Sequence, residues 1–137
     1  MNQSVLFLCT GNSARSQMAE GWLRHLAGDR YEVFSAGTKP VGLNPGSVEA
    51  MAEVGIDIAQ QRSKHVEEYA AQPIDYVVTV CDRAKEACPR WPGKTTVIHW
   101  SFDDPAAVAD VEGRHLIFRR VRDEIALAIR EFLADRA

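Results

Sequence analysis

The chain of 137 residues lacks a basic cluster, a long apolar run and any paired Cys-x2-Cys spacing, and each absence removes a class of function. With 16 basic against 19 acidic residues and a net charge of −3, it has no footprint for a nucleic-acid backbone. No stretch approaches the ~20 apolar residues of a membrane span, and the N-terminus shows no signal-peptide pattern. The expectation is therefore a cytoplasmic protein with no membrane contact. Its 3 cysteines are an odd number, which argues against a disulfide framework. Cys9, Cys81 and Cys88 are not spaced as zinc ligands, so no metal is expected. In a reducing compartment the remaining uses of cysteine are catalysis and redox exchange. Internal repeats, linkers and low-complexity tracts are absent as well. At this length, with 46% apolar and 26% charged residues, residues 1–137 read as one domain. Such a domain buries roughly two-thirds of its unfolded surface.

What is present centres on Cys9-Thr10-Gly11-Asn12-Ser13-Ala14-Arg15-Ser16. The apolar run Val5 to Leu8 leads into this stretch. Met18, Ala19, Trp22, Leu23 and Leu26 follow it on one helical face. A loop between a buried strand and a helix N-terminus presents free amides and the positive end of a dipole, which suits a tetrahedral anion. Gly11 and Asn12 tolerate the left-handed backbone that turns amides inward. Arg15 adds a planar, permanently charged fork for two oxyanion oxygens. Cys9 at the mouth of the loop is placed to attack the anion's central atom as a thiolate, and Ser16 can donate to its sulfur. The competing reading, a structural core cysteine beside a surface arginine, does not account for Cys-x5-Arg with an internal Gly-Asn at a strand-to-helix junction.

Further strands are expected at Tyr31–Ser35, Ile74–Val80 and Thr95–Trp100. A helix is expected to start at Pro45 and stop at Gly55, and a short one near Val66–Ala70 to be capped by Ser63. Another short helix is expected over Ala106–Val108. From about Gly113 to the end, apolar positions keep helical spacing, with Arg119, Arg120 and Arg122 on the solvated faces. The alternation predicts an α/β fold, a four-stranded parallel doubly wound sheet flanked by helices. Ligands then bind beyond the carboxyl ends of the strands, where Cys9, Cys81 and Asp104 all fall.

Asp103 and Asp104 are candidate general acids. Asp104, held by the following Pro105, is the better placed; the alternative is that either merely caps the next helix. Cys81 and Cys88 go beyond what hydrolysis through a Cys-x5-Arg loop requires. Reducing a pentavalent oxyanion takes two electrons from two thiols, and a third thiol can carry the resulting disulfide away. His25, His65 and His115 read as surface or cap residues and His99 as a supporting group. Trp22 and Trp100 read as core, and Trp91 as a partner contact.

These residues resemble a known family. The run Cys9 to Gly21, with Ser35-Ala36-Gly37, Asn44-Pro45, Val54 to Ile58, Val78 to Cys81, Cys88-Pro89, His99 to Ala106 and Arg120 to Ile125, is similar to arsenate reductases. The relatives in question are built on the low-molecular-weight protein tyrosine phosphatase fold and coupled to thioredoxin. The resemblance implies that Cys9 is the nucleophile and Asp104 the acid. It implies too that Arg15 and the loop Thr10, Gly11, Asn12, Ser13, Ala14 and Ser16 hold arsenate, with phosphate and sulfate as analogues. It further implies that Cys81 attacks Cys9 and releases arsenite, after which Cys88 attacks Cys81 and leaves a disulfide for thioredoxin. Arsenic detoxification by a monomer with no bound cofactor is the corresponding expectation. Ala14 stands where many relatives have a further cysteine. Some members hold a monovalent cation near Asn12, Glu20 and Ser35, completed by an aspartate. Here Lys64 takes that fourth position, which counts against a cation. Ala84 to Ala87 are good helix formers, and a helix from Cys81 to Cys88 holds its ends about 10 Å apart. A disulfide needs roughly 4.4–6.8 Å, so forming that bond is expected to unwind the segment. The rival readings are a low-molecular-weight tyrosine phosphatase and a non-catalytic oxyanion or redox sensor.

Overall fold

The computed structural model describes residues 2–80, 95–107 and 110–136. Cys81, Cys88 and Trp91, and the helix expected between the two cysteines, lie outside the described residues. Among the described residues the elements run β1 (Gln3–Cys9), α1 (Arg15–Ala27), β2 (Tyr31–Gly37), α2 (Pro45–Ala52), β3 (Tyr76–Thr79), β4 (Thr96–His99) and α3 (Val111–Asp135). The four strands form one parallel sheet in the order β2-β1-β3-β4. The chain leaves β1 for β2 on one side and returns to β3 on the other, so the connections reverse beside β1. Ligands of open parallel sheets lie at that reversal, beyond the strand ends. β1 ends there, at Cys9.

The core follows from the apolar periodicities. β1 is buried from Ser4 through Cys9, as a central parallel strand covered on both faces must be. Met18, Ala19, Trp22 and Leu23 on α1, and Phe118, Val121, Ile125, Ile129 and Phe132 on α3, join β1 and β3 in one apolar cluster. Each large side chain buried this way contributes about 1.5–3 kcal/mol. The Trp22 indole donates to the Arg122 carbonyl over 3.1 Å, which ties α1 to α3. Asn44 caps α2 by accepting from the Gly46 amide at 2.8 Å, with Pro45 in the first turn. The turn after α2 ends at Gly55, whose φ of +80° is readily open only to glycine.

Four local expectations are corrected. The segment near Val66 is a 3-10 turn, Val66–Glu68, and its cap is His65, whose ring accepts from the Glu67 amide at 3.1 Å. Ser63 instead donates to the Gly11 carbonyl, a contact that no local pattern encodes. Pro105–Ala107 is likewise a 3-10 turn. The last helix starts at Val111, earlier than expected, since Asp110 accepts from the Gly113 amide and caps it. Arg122 is not solvated: it is 8% exposed and donates to the Ala50 carbonyl and to Glu53. The Arg119 and Arg122 guanidiniums together hold the Glu53 carboxyl below the usual carboxylate range.

Candidate active site

The loop between β1 and α1 is built with its carbonyls turned out. The carbonyls of Cys9, Thr10, Gly11 and Ser13 accept from the amides of Thr38, Lys39, Val41 and Asn44 at 2.8–3.3 Å. The Asn12 carbonyl accepts from the Gln17 carboxamide at 3.0 Å. None of these peptides is cis. In a trans peptide the carbonyl and the next amide point opposite ways, so the amides of residues 10–14 turn toward the cleft. No side chain caps the N-terminus of α1, which leaves its first-turn amides facing the same space. The loop's amides and the start of α1 thus turn to one cleft, where the pattern Cys-x5-Arg places Cys9 and Arg15.

Of the two residues expected to tolerate the left-handed backbone, Asn12 carries it, at φ 46°, and Gly11 does not. A Cβ at Gly11 would stand 3.0 Å from the exposed Val41 side chain, a tight contact that Val41 can relieve by a small shift. Gly37 at the end of β2 has no such relief. A Cβ at Gly37 would lie 2.5 Å from the Thr10 carbonyl oxygen and 2.8 Å from the Asn12 nitrogen. The sheet and the loop touch there, backbone on backbone.

Cys9 is 2% exposed. Its sulfur lies 2.9 Å from the Ser16 hydroxyl and accepts from the Asn12 amide at 3.2 Å. Two donors within reach of one sulfur are what a thiolate needs in place of water. Behind them runs a buried polar network. The Asn12 carboxamide donates to Ser16 and to Ser35, each at 2.9 Å, and accepts from the Lys64 amide at 2.7 Å. Ser35 donates to Glu20 at 2.5 Å. Glu20 also meets Arg24 at 2.7 Å and the Lys64 ammonium at 3.7 Å. Lys64 therefore sits with the three residues Asn12, Glu20 and Ser35, and it donates to the Arg62 carbonyl as well. Burial pushes the Lys64 ammonium below its ordinary value, and the Glu20 carboxylate pulls it back.

On the open side, Arg15 donates to the Phe102 carbonyl at 3.1 Å and lies 3.8 Å from the Asp104 carboxylate. Asp104 is 45% exposed and also accepts from the Ala106 amide at 3.0 Å, so it both caps the turn and faces the site. Asp103 turns away and pairs with Arg120 at 2.7 Å. The cleft these groups enclose, about 550 Å³, is lined by Cys9, Arg15, Val41, Asn44, Asp104 and Ala106 together with the loop. Larger hollows of about 620 and 810 Å³ exist elsewhere, but among the described residues no cysteine lines them. Among the described residues no group of His, Cys, Asp and Glu is arranged to hold a metal ion, and no helix is long and apolar enough to cross a membrane.

The structure thus brings Cys9, the loop, Arg15 and Asp104 together, and sets Asp103 apart. His99 supports β3, with its ring nitrogen 2.6 Å from the Thr79 hydroxyl. Sequence reasoning missed Gln17, Gln61 and Ser63. Only Gln17 left a signal, as a polar residue directly before Met18 in the buried first turns of α1.

A family model described as low molecular weight phosphotyrosine protein phosphatase matches residues 4–136. An arsenate reductase of Halalkalibacterium halodurans is 49% identical over 134 residues, which is 96% of either chain. A solved arsenate reductase in its oxidized state superposes with a TM-score of 0.85 at 30% identity, covering 98% of this chain and 99% of that one. A thioredoxin-dependent arsenate reductase of Corynebacterium glutamicum gives a TM-score of 0.77 at 29% identity, covering 98% of this chain and 61% of that one.

Proposed function

This chain belongs to the low molecular weight phosphotyrosine protein phosphatase family, and within it we propose that the chain is an arsenate reductase, using Cys9 as nucleophile and thioredoxin as electron donor. The observation that carries the reading is the Cys9 sulfur set in an anion cradle that Arg15 and Asp104 close. The 49% identity to an arsenate reductase over nearly the whole chain selects the oxyanion.

Arsenate enters with its oxygens on the loop amides and the Arg15 fork, the preorganised donors that stabilise charge developing on a tetrahedral centre. The Cys9 thiolate adds to arsenic, and Asp104 protonates the oxygen that leaves as water. Cys81 then attacks the Cys9 sulfur. A sulfur–sulfur bond forms as the sulfur–arsenic bond breaks, its electron pair stays on arsenic, and arsenic(V) leaves as arsenite. Cys88 attacks Cys81 and frees the Cys9 thiolate. Two thiols have become one disulfide, and the dithiol of thioredoxin restores them. Such a cycle needs a reducing compartment, so the cytoplasm is its proposed place. Every group it uses comes from one chain, so a monomer of one domain suffices.

Lys64 stands in for a monovalent cation in this reading, its ammonium serving Glu20 where some relatives place an ion. Hydrolysis of a small aryl phosphate needs only Cys9, Arg15 and Asp104, so a weak phosphatase activity accompanies the reductase. The test is arsenate-dependent oxidation of reduced thioredoxin coupled to its reductase. Cys81→Ser and Cys88→Ser should stop that turnover and spare aryl phosphate hydrolysis. Equal loss of both activities would make the two cysteines structural.

A further inference from the structure

The loop's outward carbonyls are not all held alike. Backbone amides hold those of Cys9, Thr10, Gly11 and Ser13. The carbonyl of Asn12 is held by the side chain of Gln17, which is completely buried. That carbonyl shares its peptide plane with the Ser13 amide, one of the cradle's inward donors. It also follows the residue with the strained left-handed φ of 46°. This one plane is thus fastened by a single carboxamide.

The carboxamide itself has no freedom. Its Nε2 donates to the Asn12 and Arg62 carbonyls, both at 3.0 Å. Carbonyls only accept, so the NH2 end must face them. Its Oε1 accepts from Gln61 at 2.9 Å, and the same Gln61 nitrogen donates to the Gln17 backbone carbonyl at 3.0 Å. Arg24 donates to Gln61 in turn, at 3.2 Å. Two forked donors and one acceptor at that length are what glutamine supplies. Glutamate would put acceptor against acceptor, and methionine would leave the Asn12 carbonyl short of a donor, while the Arg62 carbonyl keeps the Lys64 ammonium.

We propose that Gln17 is a positioning residue for oxyanion binding: it pins the Asn12–Ser13 peptide so that the Ser13 amide points at the bound anion, and Gln61 orients Gln17 for this task. The inference rests on the oxyanion-cradle part of the proposed function and concerns affinity more than chemistry. The Cys9 sulfur keeps its own two partners, the Ser16 hydroxyl and the Asn12 amide, whatever Gln17 does.

The test measures the inorganic phosphate concentration that half-protects Cys9 from iodoacetamide, read from the mass of the Cys9 peptide in the folded, reduced protein. In Gln17→Met that concentration should rise on the order of tenfold, while the rate of alkylation without phosphate stays within about twofold. Gln61→Met should produce a smaller rise, and none when added to Gln17→Met, because it acts through Gln17. The arsenate KM should rise more than kcat falls. A purely structural role would lower the melting temperature of Gln17→Met and leave half-protection unchanged, and that result would overturn the proposal. If Gln17→Met does not fold, Gln61→Met decides: a raised half-protection concentration supports the proposal and an unchanged one overturns it. Failure of phosphate to protect the wild-type Cys9 would be a different result, one that removes the cradle itself and the proposal with it.

Discussion

The two sides of the cleft are made differently. The loop of residues 9–16 is braced from behind at every carbonyl from Cys9 to Ser13 by segments from elsewhere in the chain, and Cys9 is 2% exposed. Among the described residues the opposite wall carries far fewer such contacts. Asp104 is 45% exposed and is held by the Ala106 amide and a long pair with Arg15. The buried side has to offer several donors at fixed positions, because preorganised amides stabilise charge without moving when it appears. In the proposed cycle the open side gives up one proton and lets substrate, product and a second thiol come and go. In that reading rigidity is concentrated at the anion's place, and access where electrons arrive.

Four substitutions or conditions probe this contrast, beginning with the largest effect. Cys9→Ser should abolish arsenate reduction and aryl phosphate hydrolysis together, since a hydroxyl is no thiolate at neutral pH. Retention of either activity would take Cys9 out of the chemistry. Asp104→Asn should slow aryl phosphate hydrolysis by about 10²–10⁴-fold, the usual loss for a general acid. Its thermal stability should shift by no more than about 0.5 kcal/mol, as for an exposed position. A large loss of stability would mean that this wall is as deeply built as the loop.

Gly37→Ala should do the reverse of Asp104→Asn. Its new methyl group meets loop backbone on two sides, at 2.5 and 2.8 Å, so the protein should lose about 1–3 kcal/mol and bind phosphate more weakly. Unchanged melting and unchanged phosphate binding would show that the sheet and loop are not rigidly joined. The smallest effect concerns the cation. With the Lys64 ammonium 3.7 Å from Glu20, stability and activity should be nearly equal in potassium and in a bulky organic cation at the same ionic strength. A large potassium-specific gain would show that the lysine does not do an ion's work.

Much of the buried side was legible in the chain because its signals are contiguous. The strand, the Gly-Asn turn, the arginine and the amphipathic helix follow one another within Val5 to Leu26, and local sterics and periodicity decide them. The loop's support was not legible. Lys39, Val41 and Asn44 brace it with backbone amides, which carry no residue signature at all. Ser63 looked like a helix cap because a serine before an apolar residue is that signal, yet its hydroxyl serves Gly11, 52 positions away. Arg122 looked solvated among neighbouring arginines, and only the packing of α3 against α2 brings it to the Ala50 carbonyl and Glu53.

By itself, then, the sequence determined the alternation of strand and helix and the placing of Cys9, Arg15 and Asp104 beyond strand ends, since propensity and periodicity act over a few residues. Tertiary structure alone decided that Asp103 pairs with Arg120 and leaves the site, and that the Gln17 carboxamide holds the Asn12 carbonyl. Those outcomes depend on hydrogen bonds whose partners come together only when the sheet closes and the helices pack. A buried polar group must find such a partner or pay its full desolvation cost, and no short stretch of sequence says which partner will be there.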